Sequence, residues 1–172
     1  MKNFVSWHRL IFLSVGLLAG CAATPQYYPN THEKNLTVNL KLSENGGFMT
    51  TVNAYAGVND IAGDCSSRYL GFVDLKDGAN KFGLAPGKRA YLAVQISTSI
   101  GYSSSQLQRG TLITPVAGKQ YEITANYVDG MFDFRLFEVT KSGKKELPIV
   151  PISACKLAKD DRRQTFAIQQ FS

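Results

Sequence analysis

A chain of 172 residues, 44% hydrophobic and with a formal net charge of +6, is long enough for one domain around one core and too apolar to stay disordered. Two histidines and three cysteines leave little material for histidine-based catalysis or for a metal cluster.

The first element is not part of that core. Lys2 and Arg9 flank and precede an apolar run from Leu10 to Leu18, which ends in small residues and a cysteine, Leu18-Ala19-Gly20-Cys21. The run is shorter than the roughly 20 residues a membrane-spanning helix needs. Positive charge, a short apolar stretch and small residues together define a secretory signal. Leu18-Ala19-Gly20-Cys21 resembles the lipobox of bacterial lipoproteins. The resemblance implies that residues 1–20 are removed and that Cys21 becomes the lipid-bearing first residue. An ordinary signal followed by a cysteine is the alternative. The lipid group so implied carries more than one acyl chain, enough for stable attachment where each buried methylene contributes about 0.8 kcal/mol. Ala22 rather than Asp follows the cysteine, which by the same resemblance implies an outer-membrane destination. Trp7 and His8 leave with the signal, so His32 is the sole histidine of the mature chain.

Residues 21–34 read as a lipidated tether, with Pro25 and Pro29 discouraging regular structure. A flexible segment of that length spans roughly 20 Å. The domain itself is expected over residues 35–156. In Asn35–Leu42, alternating Leu36, Val38, Leu40 and Leu42 mark a half-buried strand. Asn45-Gly46-Gly47 turns the chain into a return strand, Phe48–Tyr55, and the two read as a hairpin. Gly57 to Asp64 reads as a loop, Ser67–Leu75 as a strand, and Asp77-Gly78 as a turn before a short segment, Asn80–Leu84. Pro86-Gly87 suits the centre of a type II turn. Behind it lies the longest alternating run, Ala90–Ile100. Gly101–Ser105 reads as a polar loop, and Gln106–Thr114 as a strand interrupted at Gly110. After a turn at Ala117-Gly118-Lys119, Gln120–Val128 and Met131–Thr140 form a hairpin about Asp129-Gly130, closed by Ser142-Gly143. Pro148 and Pro151 call for an extended segment leading to Cys155. Residues 157–172 form a basic tail, in which Thr165–Phe171 reads as a last strand or Lys156–Gln164 as a short helix.

Many short strands with regularly spaced turns and no sustained 3.6-residue period predict an all-β fold, a single antiparallel β-sandwich. From about residue 76 to residue 127 the order of strands, with Leu84-Ala85-Pro86-Gly87-Lys88 and Ala117-Gly118-Lys119-Gln120-Tyr121 as turns, resembles small bacterial lipoproteins with immunoglobulin-like or transthyretin-like (PEGA-type) sandwiches. That resemblance implies a fold and no activity.

Cys65 and Cys155 allow one intramolecular pairing, which suits an exported protein, with two buried thiols as the alternative. A bridge would contribute on the order of 4 kcal/mol in the chain-entropy picture. No Cys-x-x-Cys or neighbouring histidine accompanies either, so no metal or other cofactor is expected. His32 sits in the tether with nothing rigid to hold it, while Asp60, Asp64, Asp129 and Asp133 read as turn and solvated acids, so no catalytic residue is expected. Candidate binding residues are Tyr102 in the polar loop, Arg135 and Phe137 on the last long strand, and the basic Lys156, Lys159, Arg162 and Arg163. The net positive charge gathers after Thr140. In an exported protein that points to a solvated, solubilising face or to contact with anionic envelope surfaces, and away from nucleic acid. The functional expectation is a membrane-attached, non-enzymatic lipoprotein that binds an envelope protein or a cell-wall polymer. The alternative is a wall-acting enzyme or an inhibitor of one.

Overall fold

Alternating apolar side chains become nine strands: β1 (Leu36–Leu42), β2 (Thr50–Ile61), β3 (Ser67–Leu75), β4 (Gly78–Phe82), β5 (Ala90–Ile100), β6 (Ser103–Ile113), β7 (Gln120–Val128), β8 (Met131–Thr140) and β9 (Gly143–Leu147). The structure is a computed structural model and describes residues 25–42, 50–128 and 130–155. Two sheets face each other, one in the order β4-β1-β7-β8-β9 and the other in the order β3-β2-β5-β6. The fold is an all-β sandwich. Every pairing is antiparallel except that of β1 with β7, which run parallel with Leu36 opposite Tyr121.

The inward positions follow the period of two. Leu36, Val38 and Leu40 of β1, Ile123 and Ala125 of β7, and Leu92, Val94 and Ile96 of β5 are each at most 3% exposed. Ala54, Ala56 and Val58 of β2 complete the facing layer, and Phe82 and Leu84 plug the core where the chain crosses between sheets. The Pro86-Gly87 turn forms as the sequence predicts, with the Lys88 amide donating to the Ala85 carbonyl.

Four expectations need correction. The first two strands are not a hairpin, because β1 pairs with β4 and β7 while β2 pairs with β3 and β5 in the other sheet. Alternation shows that one face of a strand is buried; it does not show which strand lies beside it. The connecting residues 43–49 lie outside the described residues. Gly57 to Ile61 continues β2 rather than forming a loop, with a register shift at Val58/Asn59 that accommodates the irregular pattern. Ser103–Ser105 belongs to β6, so the polar loop shrinks to Gly101-Tyr102, with Gly101 at φ 56° in the first central position of the turn. Thr98 and Ser105 hydroxyls, 2.6 Å apart, join the two strands there. Finally, Ser142-Gly143 leads into β9, whose Gly-Lys-Lys-Glu-Leu sequence carries no alternation because it is an exposed edge. Asp129 lies outside the described residues.

The expected tether is also shorter than the sequence suggests. From residue 26 onward the chain docks as a strap along the β3/β4 side of the sandwich. Phe72 donates to the Gln26 carbonyl and accepts from the Tyr28 amide. Tyr28 is 8% exposed, and its hydroxyl donates to the Gly83 carbonyl at 3.0 Å. Asn35 is buried and bonds both ways to Leu84, at 2.9 and 2.8 Å. Two glycines make the close approach possible. A Cβ on Gly71, which has φ 132°, would stand 2.6 Å from the Tyr28 nitrogen, and one on Gly83 would strike the carbonyls of His32 and Glu33.

Candidate interaction surfaces

Among the described residues, two concave or unpaired surfaces combine apolar walls with charged or unpaired polar groups. The first lies between the strap and the strand ends that it crosses. Tyr28, His32, Asp60, Arg68, Lys88 and Arg89 line a cleft of about 420 Å³ whose inner wall is Val58, Leu70, Leu84 and Ala90. The Arg68 guanidinium donates to Asp60 at 2.9 Å, so Lys88 and Arg89 leave the rim net basic. His32, expected in a mobile tether, stands at the wall of this cleft because the strap fixes its backbone against Gly83. An apolar wall with a basic rim suits a group that is anionic at one end and apolar at the other.

The second is the free side of β6. From Ser103 to Arg109 every residue of this strand is exposed. Beside it two hollows of about 490 and 350 Å³ run together, because both are lined by Gln108, Arg109 and Phe132. Their β6 side is polar. Their β8 side is Met131, Phe132 and Phe134, the two phenyl rings meeting edge to face with centroids 6.4 Å apart.

The sequence-predicted residues fall in different places. Cys65, in the β2–β3 turn, and Cys155 form a disulfide with Cα atoms 5.8 Å apart. It ties the turn at residues 151–155 to the end of the sandwich where Arg89 stands, the Arg89 guanidinium lying 3.5 Å from the Cys155 sulfur. Tyr102 is fully exposed at the tip of the β5–β6 hairpin. Arg135 and Phe137 lie elsewhere, on the outer face of the five-stranded sheet. Arg135 pairs with Asp133 at 3.1 Å. Phe137 is half-buried on the face crossed by the Lys144–Glu122 ion pair, 2.6 Å long, which reaches over β8 from β9 to β7. Thus Tyr102 and the Arg135–Phe137 pair are not brought together. Cys21, Lys156, Lys159, Arg162 and Arg163 lie outside the described residues.

The groove-side residues Leu107, Arg109 and Met131 were missed by sequence reasoning. Their signal was present but weak: Gln106–Gly110 has no alternation, which is what an unburied strand looks like. Carboxylates serve the frame. Asp77 accepts from the Leu42 amide, Asp64 from Ser66, and Glu138 from Lys119 at 2.8 Å. Among the described residues no three His, Cys, Asp or Glu side chains gather as a metal site, and no helix is long and apolar enough to cross a membrane. Compared with described protein families and with curated proteins, the chain matches none of them.

Proposed function

We propose that the protein is a lipoprotein of the bacterial envelope, attached to the outer membrane through lipid on Cys21, whose non-catalytic sandwich binds another envelope component. The Leu18-Ala19-Gly20-Cys21 segment after a short apolar run supports the attachment. The disulfide between Cys65 and Cys155 fits an oxidising compartment. The observation that carries the binding half is the exposed run Ser103–Arg109 beside an aromatic-walled groove. Of the four acids weighed in the sequence, Asp60, Asp64, Asp129 and Asp133, two are each engaged by an arginine: Asp60 by Arg68 and Asp133 by Arg135.

The reading keeps the resemblance to immunoglobulin-like or transthyretin-like (PEGA-type) sandwiches, with a strand order that departs from the immunoglobulin one. In the immunoglobulin arrangement the first, second, fourth and fifth strands share one sheet. Here the first and fourth strands share a sheet with the seventh and eighth.

Two measurements test the proposal. Cys21→Ser should abolish incorporation of labelled palmitate and release the protein from the membrane fraction; undiminished membrane retention and processing would refute the attachment. Cross-linking of the wild-type protein in mild detergent should capture the same envelope component in replicate preparations, and a protein that captures nothing there would refute the binding role. The second reading, a wall-acting enzyme or an inhibitor of one, draws on the strap cleft, whose lining includes His32 and Asp60. Wall turnover that responds neither to the protein nor to His32→Ala would end it.

A further inference from the structure

We propose that the upper half of β6 is a strand-acceptor edge, and that its occupant is an extended segment of a partner protein carrying an acidic residue followed two positions later by an apolar one. The inference rests on the envelope-binding reading above and names the partner's chemistry.

An exposed strand edge invites uncontrolled pairing, and folded proteins defend such edges with charges, proline, bulges, shortness or a cover. Among the described residues, the other edges of this sandwich are defended. β3 is covered at Phe72 by Gln26–Tyr28. β4 is five residues long. β9 is also five residues long and carries Lys144, Lys145 and Glu146. Even the lower part of β6 is covered, because Leu112 donates to the Val150 carbonyl at 2.7 Å and Thr111 accepts from the Val150 amide at 3.0 Å. Ser103–Gly110 has neither proline nor lysine, carries a single charge at Arg109, and pairs regularly with β5 throughout.

The Leu112–Val150 bond also fixes which backbone groups face out. In an antiparallel pair a residue's N–H and C=O point to the same side, and the side alternates. Leu112 donates away from β5, so Gly110, Gln108, Gln106 and Ser104 present both groups outward as well. This row of alternating donors and acceptors is matched along its length by another extended backbone. The fold already uses the edge in this way at Leu112, and a guest strand would continue the same arrangement along about seven residues.

Side chains then select the guest. Leu107 and Arg109 share the face of β6 that carries the buried Thr111 and Ile113, and they line the groove opposite Met131 and Phe132. Arg109 makes no ion pair among the described residues. An antiparallel guest would meet Arg109 first and Leu107 two residues later, which sets the order acid–x–apolar. A second copy of this chain fits poorly. Pairing β6 with β6 centred on Leu107 sets Arg109 against Ser105, and pairing centred on Arg109 sets two guanidiniums face to face; neither supplies a carboxylate.

The test uses the full chain in detergent micelles and the peptide acetyl-Thr-Thr-Glu-Thr-Leu-Thr-Thr-amide, with a second peptide that has Lys in place of Glu. The expected result is that the Glu peptide slows amide exchange at Ser104, Gln106, Gln108 and Gly110 by about tenfold or more, leaving Ser105, Leu107 and Arg109 unchanged. Gln108→Pro removes one outward donor and should abolish this protection while keeping the melting temperature, since proline is tolerated on the solvent side of an edge. Arg109→Glu is the second variant, and should transfer the preference to the Lys peptide by about tenfold. Protection that is absent with the Glu peptide, or unchanged in Arg109→Glu, overturns the proposal. So does protection that rises with protein concentration and no peptide, which would mean self-pairing. If wild type and both variants cross-link the same envelope component equally, the envelope-binding reading stands and the strand-acceptor edge fails. If wild type captures no component, that reading fails whatever the peptides do.

Discussion

Tyr28 shows how one side chain holds a segment of chain. Its hydroxyl donates to the Gly83 carbonyl from a buried position, and burial raises its pKa above the ordinary 10.0. The unfolded chain therefore gives up this proton first. Stability from Tyr28 is present in full below pH 10 and is lost as the pH climbs through the raised folded value. Tyr28→Phe should cost about 1 kcal/mol near neutrality, by leaving the Gly83 carbonyl short of a donor. The same variant should flatten the fall in melting temperature as the pH rises above 10; an unchanged slope would show that the strap does not depend on this bond. Gly83→Ala acts on the same contact from the other side. Because its Cβ meets the backbone of His32 and Glu33 rather than a movable side chain, the expected loss is about 2–3 kcal/mol in denaturant unfolding.

At the scale of elements, the segment after β9 is held twice, by Val150 on the edge of β6 and by the disulfide. Cys65 and Cys155 are 90 residues apart in sequence. Replacing both with alanine should cost about 4–5 kcal/mol in the chain-entropy picture. Urea denaturation compared with reduced wild type checks this, and equal stability of all three forms would contradict it. Thr111→Val should cost about 1–2 kcal/mol, because the Val150 amide would lose its acceptor in a buried place. Most strands were readable from sequence: β1 falls within the predicted Asn35–Leu42, and β3, β5, β7 and β8 fall where Ser67–Leu75, Ala90–Ile100, Gln120–Val128 and Met131–Thr140 predict them. Strand partners were not readable, since β1 and β2 both alternate and yet lie in opposite sheets. Neither was the groove. A bare edge gives a polar, aperiodic sequence, and Ser103–Ser105 has the composition of a loop. The strap was hidden for a related reason: its docking depends on glycines at 71 and 83, distant in sequence from Tyr28 and His32.

At the scale of the molecule, both ends of the described chain close on one corner. The strap residues and Arg89 line the same cleft, and Arg89 also reaches the sulfur of Cys155. β5 starts beside that corner at Ala90 and runs 11 residues to the Gly101-Tyr102 tip. At about 3.3 Å per residue it lifts Tyr102 some 35 Å above the corner. Only three residues, Ala22 to Thr24, lie between Cys21 and the first described residue, Pro25, so the four steps of chain between them span at most about 14 Å. With lipid on Cys21 the sandwich would stand upright like a post, its foot in the headgroup layer. The hairpin tip would be the part of the molecule that first meets anything approaching from across the aqueous gap.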